Sequence, residues 1–342
     1  MDLCELLGAE PYVNGNVGSG TVREMSEWVE YLTRGDDSPM SSLRRANGRD
    51  EPWKVPFFGI GNEPWGGCGG NMSAEHYTDL ARQYATYIRN HGGHTVDKIA
   101  AGANADDYAW TEALMKVSAK LGCGCDPRGF FQHVSMHYYT MSGDWADKGA
   151  ATSFTTDEWY LTMKRARRIE ELVRGHANVM DAYDPPDARI GLVVDEWGGT
   201  WWNVEEGTNP GFLYQQNTLR DALVASTHFD TFHRYARRIS MANIAQTVNV
   251  LQAMILTDPP DSGALVLTPT YHVFEMNTGH HDAGSLDVRF KGDLPTRTVD
   301  GSALATLSVS ASTKDGTALV SLSNMDAETP PTTLVLDLRG RE

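Results

Sequence analysis

Six times along the chain a short strand-like run gives way to a glycine-bearing or polar loop, most often with a helical pattern after it. The runs cover residues 10–16, 55–62, 98–104, 131–139, 189–196 and 250–256. Parallel neighbours need such crossovers, so the alternation predicts a parallel sheet with helices outside it. One helix is legible in detail over 73–90. Ser73 suits its N-cap, Glu75 its positive end, and Tyr77, Leu80, Ala81, Tyr84 and Ile88 form one apolar stripe before Gly92-Gly93. Further helices are expected over 158–174, 213–229 and 232–243. The fold class that follows is α/β, a (β/α)8 TIM barrel with about six of its eight units present.

The chain opens inside a helical pattern, with Leu3, Leu6 and Leu7 spaced for one face and Gly8 placed as its C-terminal cap. The expectation is an N-terminal truncation that has removed two barrel units. A missing leader therefore decides little about location, and the reading leans to the cytoplasm. After residue 285 the texture changes to short alternating runs over 286–290, 303–312, 317–324 and 332–338, punctuated by Lys314-Asp315-Gly316 and Pro330-Pro331. The division expected is a catalytic barrel over 1–284 and a partial all-β sandwich over 285–342.

Composition removes several function classes. Forty-five acidic against 29 basic residues give a net charge of −16, a field that repels nucleic acid and anionic membranes. Apolar runs long enough to span a bilayer are missing from the sequence. The four cysteines, Cys4, Cys68, Cys123 and Cys125, do not make a disulfide scaffold, and the one-residue gap between the last two does not match zinc-ligand spacing. No metal is expected. The stretch Gly15-Asn16-Val17-Gly18-Ser19-Gly20-Thr21 looks like a phosphate cradle, but it has neither the following Lys nor the dinucleotide glycine spacing.

Chemistry in such a barrel sits where strands run into the loops after them. Glu63 and Glu196 lie at two such ends, flanked by Trp65-Gly66-Gly67 and Trp197-Gly198-Gly199. A carboxylate at the end of a buried strand is costly unless paired or used. Acetal hydrolysis uses two: one acid to protonate the leaving oxygen and one carboxylate to attack the sugar carbon. A pair of buried salt-bridging glutamates would account for the same residues.

Asn62-Glu63-Pro64-Trp65 running on to Gly69-Gly70-Asn71-Met72, and Val194-Asp195-Glu196-Trp197-Gly198, closely resemble glycoside hydrolase family 51, the α-L-arabinofuranosidases. So do the blocks at 8–12, 16–21, 135–140, 242–249 and 268–274, in family order. The resemblance implies that Glu63 is the acid/base at the fourth barrel strand and Glu196 the nucleophile at the seventh. The count agrees, since their strands are the second and fifth visible and two are taken as lost. It implies a retaining mechanism, with carboxyl groups roughly 5–5.5 Å apart. Glu196 is then anionic, and Glu63 carries a proton until it passes to the leaving oxygen. Asn62 matches a contact to the sugar 2-hydroxyl, Tyr139 and Gln246 match positions near the nucleophile and sugar hydroxyls, and His137 and Trp197 are further candidates for substrate contact. His137 could instead support a neighbour, and Trp197 could cap the barrel. Trp201-Trp202 either stack on a sugar or pack their loop.

The partner implied is an arabinose-containing oligo- or polysaccharide, with no cofactor. A homo-oligomer is common in such a family, in a number nothing here fixes. The family's first two strands add an Arg and an Asn to the sugar site, so the expectation is an active parent and a poorly active or inactive fragment. Endoglucanase or xylosidase activity on the same barrel, or a non-catalytic carbohydrate-binding role, are the alternatives.

Overall fold

The computed structural model describes residues 1–118, 126, 128–184, 190–203, 213–257, 263–329, 333–337 and 339. Cys123 and Cys125 lie outside them. Six parallel strands form the central sheet, in the order β1 (Tyr12–Gly15), β2 (Phe57–Ile60), β3 (Asp97–Asn104), β4 (His133–Thr140), β5 (Gly191–Thr200) and β6 (Ile239–Ile244). Sheet order follows chain order, and among the described residues β1 and β6 each have one neighbour in this sheet. The inner strands are buried on both faces, so they read as apolar runs rather than alternations: residues 98–103 of β3 are all buried.

Helices α2 (Val22–Thr33), α3 (Pro39–Ala46), α4 (Ala74–Tyr87), α5 (Tyr108–Ser118), α6 (Thr156–Tyr183) and α7 (Leu219–Arg234) fill the connections. They start where side chains cap the free N–H groups. Thr21 with Glu24, Thr155 with Glu158 and Thr218 with Asp221 make reciprocal capping boxes, and Ser73 caps α4. The opening helix α1 (Asp2–Leu7) ends at Gly8, whose φ of 66° is the left-handed cap. No described helix is long and apolar enough to cross a membrane.

Two sequence expectations fail together. Residues 232–243 are not a helix: α7 already ends at Arg234, and β6 follows after a connection of four residues. Consequently the sixth sheet strand is 239–244, not 250–256. The connection carries neither Gly nor Pro, and β6 is short and only partly buried, so neither a breaker nor an apolar run marks it. Residues 255–257 instead form β7 (Ile255–Thr257), an antiparallel hairpin with β8 (Leu265–Leu267), ahead of α8 (Pro269–Asn277). Residues 213–217, expected to be helical, precede the cap Thr218.

The tail is antiparallel β. A sheet of β9 (Gly284–Leu286), β12 (Leu307–Lys314) and β13 (Thr317–Asn324) stands beside a hairpin of β10 (Thr296–Val299) and β11 (Ser302–Ala305). The run at 303–312 is thus two strands, that at 286–290 stops at Leu286, and the described residues 333–337 are not a strand. Asp315 and Gly316, with φ of 49° and 81°, turn β12 directly into β13.

This sheet docks on α7 through polar groups. Ser308, Ser310 and Ser312 alternate along β12 and are all buried. Ser310 and Ser323 donate to buried Asp230 at 2.8 and 2.9 Å. His233 meets Ser310 at 3.0 Å, His280 bridges Ser312 and Ser321 at 2.8 Å each, and the two imidazoles stack 4.3 Å apart. Burial, helped by the neighbouring His280 and Arg234, pushes His233 down to about 4, and burial also lowers His280. Both are depressed from an unfolded value near 6.5, so their contribution is complete above that pH and is lost as pH falls toward 4. Asp230, pushed up by burial, gains on protonation and offsets part of the loss. The expected result is a stability that falls between pH 6.5 and 4, with this cluster accounting for on the order of 1–2 kcal/mol of the loss. Scanning calorimetry of the wild type beside His233→Gln checks it, since the variant should show a shallower slope.

Candidate active site

The site is assembled just past β2 and in the second halves of β4 and β5; β5 continues to Thr200, so Glu196 lies within its strand and does not end it as the sequence suggests. Past β2, Gly61 turns with φ 84° against Val17, where a Cβ would come within 3.1 Å of that side chain. Glu63 itself takes φ 43°, a left-handed conformation uncommon for a glutamate. The glycine-rich turn wraps its backbone: Gly66 N–H donates to the Glu63 carbonyl at 2.8 Å, and a Cβ on Gly69 would lie 2.1 Å from that same oxygen. Trp65 donates to the Gly102 carbonyl at 3.1 Å, and the Tyr77 hydroxyl donates to the Ile60 carbonyl and accepts from Ala101 N–H. The turn is thereby pinned to β3.

Register on β4 and β5 sets the rest. His137 pairs with Glu196, Tyr138 with Trp197 and Tyr139 with Gly198. His137 and Tyr139 point to the carboxylates, while the Tyr138 hydroxyl donates to the Arg165 carbonyl of α6 on the far side. A Cβ on Gly198 would come within 2.0 Å of the Tyr139 ring, so glycine there makes room for that ring beside Glu196. The Tyr139 hydroxyl donates to Glu196 Oε1.

Glu63, His137 and Glu196 each place a polar atom within 4.8 Å of the others. His137 Nδ1 is 2.9 Å from Glu63 Oε1 and 3.3 Å from Glu196 Oε2, and Nε2 is 3.1 Å from Asp195 Oδ1. Burial opposes charge on this imidazole, but its contacts with Asp195 and Glu63 and the charges of Asp195 and Glu196 outweigh that and push it up to about 10. Tyr139 is pushed up by burial and by Glu196, and so stays a hydrogen-bond donor. The trio brings proton donors and acceptors together, which suits proton chemistry.

The candidate residues divide. Asn62 and Glu63 line one cleft with Asn14, Asn16, Val17 and Cys68, and the Cys68 thiol is free. Gln246 is exposed at the same sheet end, carried there by the Ala245 N–H bond to the Trp197 carbonyl at 3.2 Å. His137 is not placed for a sugar: both ring nitrogens are engaged by carboxylates, and it is 5% exposed. Trp197 is not either. It is fully buried and stacked among His228, Phe229, Phe232 and Phe274, on the helix side of β5. The aromatic wall comes instead from Trp201 and the exposed Trp145, whose rings stand 4.9 and 6.4 Å from Tyr139. Trp202 packs its loop, under Arg220 at 3.8 Å. Asp195 and Tyr12 complete the site. The cost of a buried strand carboxylate applied to Asp195 as much as to Glu196, whereas nothing local in the sequence links Tyr12 to either.

Comparison with known proteins gives this geometry a family. Residues 1–153 match the α-L-arabinofuranosidase 1 domain and residues 195–342 the α-L-arabinofuranosidase C-terminal domain. An intracellular exo-α-L-arabinofuranosidase of Bacteroides ovatus is 50% identical over 96% of this chain and 61% of its own length. The family 51 arabinofuranosidase structure from Xanthomonas axonopodis pv. citri superposes with a TM-score of 0.88 at 45% identity, over 96% of this chain and 63% of that one. The arabinose complex of the Thermotoga maritima α-L-arabinofuranosidase gives 0.75 at 25% identity, over 94% and 62%. The chain thus spans about three fifths of the length of these relatives. On these matches and the paired glutamates they contain, the chain belongs to the α-L-arabinofuranosidases of glycoside hydrolase family 51.

Proposed function

We propose that the protein is a retaining glycosidase that releases terminal α-L-arabinofuranosyl residues from arabinose-containing hemicellulose or oligosaccharides, feeding L-arabinose catabolism. The observation that carries this is the approach of the Glu63 and Glu196 carboxyl oxygens to within 4.8 Å of each other. Retaining enzymes hold their carboxyl groups about 5–5.5 Å apart, while inverting ones need about 6.5–9.5 Å to admit a water.

In this reading Glu196 attacks the anomeric carbon as the bond to the leaving oxygen breaks, and Glu63 gives that oxygen its proton. Tyr139 holds the Glu196 carboxylate until the ester forms. Glu63, now anionic, takes a proton from water, which attacks the ester and regenerates Glu196. Asn62 and Gln246 face sugar hydroxyls, and no cofactor is required. Residues 1–284 act as the catalytic unit, six parallel strands of a (β/α)8 barrel with their helices, and 285–342 as a partial β-sandwich braced on α7. The intracellular relative from Bacteroides ovatus supports a cytoplasmic site of action.

The test is a panel of 4-nitrophenyl glycosides and cellulosic substrates. Turnover of the α-L-arabinofuranoside at least tenfold above the β-D-xyloside, about 1.4 kcal/mol of transition-state preference, is the expected result. Preference for the xyloside or a cellulosic chain would replace it with one of those activities. Arabinose binding without any turnover, in a protein extended to the full length of its relatives as well as in this chain, would replace it with a binding role.

A further inference from the structure

His137 stands where several parts of the fold converge, and each contributes an acid. Its Nδ1 faces Glu63 of the β2 turn at 2.9 Å and Glu196 of β5 at 3.3 Å. Its Nε2 faces Asp195 Oδ1 at 3.1 Å, a buried oxygen with no hydrogen-bond donor of its own apart from this contact. The other oxygen, Oδ2, accepts the Tyr12 hydroxyl of β1 at 2.9 Å. We propose that His137, held as an imidazolium by Asp195 and Tyr12, is the one counter-ion shared by both catalytic carboxylates, and that Asp195 and Tyr12 are positioning residues for it. This rests on the glycosidase reading above.

The geometry fits the charge flow of a double displacement. In the resting enzyme Glu196 is the anion and Glu63 holds a proton. As the Glu196 Oε–C1 bond forms and the C1–O bond to the leaving group breaks, the Glu63 proton moves to the departing oxygen. Glu196 is now a neutral ester and Glu63 the anion. One negative charge has crossed between two carboxylates that face the same Nδ1–H. A fixed cation between them serves both steps without moving, and such preorganised charge needs no reorganisation as the reaction proceeds.

Burial by itself would strip this imidazole of its second proton. The groups facing it are Tyr12 from β1, Glu63 from the β2 turn, Tyr139 from β4, and Asp195 and Glu196 from β5, with Tyr77 of α4 beside Asp195. All are acids. The tyrosines are pushed upward and stay neutral, so the carboxylates alone set the field. Asp195 spends both oxygens on this arrangement and faces no sugar, which makes its role indirect.

Histidine-selective 15N NMR reads the charge directly, with His137→Gln identifying the signal. Expected is an imidazole protonated on both nitrogens at pH 8 in the wild type and neutral there in Asp195→Asn. Tyr12→Phe, which deletes one hydroxyl and leaves the ring, should move the titration the same way by less. Kinetically, kcat/KM of Asp195→Asn should approach wild type toward pH 5 and fall on the order of 10²-fold below it at pH 8. A merely structural role would depress it evenly across pH. A neutral His137 at pH 8 in the wild type, or a titration unmoved in both variants, would overturn the proposal. A titration that follows expectation in a protein hydrolysing no glycoside would overturn the glycosidase reading and leave the charge assignment standing.

Discussion

Glu196→Ala is expected to abolish hydrolysis of 4-nitrophenyl α-L-arabinofuranoside, by on the order of 10⁴-fold or more in kcat. In the proposed mechanism this carboxylate forms the covalent intermediate, and its neighbours cannot take over. His137 is held protonated by the acids around it, and burial keeps Tyr139 a neutral phenol, so neither supplies an anionic nucleophile to the anomeric carbon. Removing the side chain also leaves space at the end of β5. Azide added at high concentration should occupy it, attack the sugar from the face Glu196 used, and release arabinosyl azide of inverted configuration. Product stereochemistry by NMR checks the assignment. A retained product, or turnover within tenfold of wild type, would remove Glu196 from the nucleophile's role.

Glu63→Ala should behave differently according to the leaving group. Nitrophenol departs without help, so the first step survives on the aryl substrate, while departure of a sugar alcohol loses its acid and falls by about 10²–10⁴-fold. The second step slows for every substrate, because no base remains to activate water. The glycosyl-enzyme then accumulates, which lowers kcat and KM together on the aryl arabinofuranoside. Azide here attacks the intermediate rather than the substrate and yields the retained product. Opposite configurations from the two alanine variants would separate nucleophile from acid/base in one experiment. Equal losses on aryl and sugar leaving groups would contradict the assignment of Glu63.

Much of this site was legible because Glu63 lies just past β2 and Glu196 in the second half of β5, so that sequence position and spatial role nearly coincide, although β5 runs on to Thr200 and does not end at Glu196 as its pattern suggests. Glu63 and Glu196 follow buried runs and are flanked by glycines, and both signals are local. The alternation likewise disclosed five of the six sheet strands. The sixth, residues 239–244, escaped because a four-residue connection without Gly or Pro let α7 run into it unmarked. Facing was harder to read than position. Trp197 neighbours Glu196 in sequence, yet the period of two in a strand sends it to the opposite side, among the helices. Tyr12 is 183 residues from Asp195, and only the closure of β1 and β5 onto His137 brings them together.

Glu63 holds a backbone conformation that asparagine or glycine would adopt at less cost. In a protein that needed only to fold, substitution there would be permitted and even favoured. A glutamate at residue 63 is therefore a residue maintained against the preference of its own main chain. In the proposed mechanism, what would oppose drift toward a more comfortable residue is demand for the carboxyl group itself. The strained turn thus makes residue 63 a gauge of use: a lineage that abandoned hydrolysis would be expected to lose its glutamate here before it lost its fold.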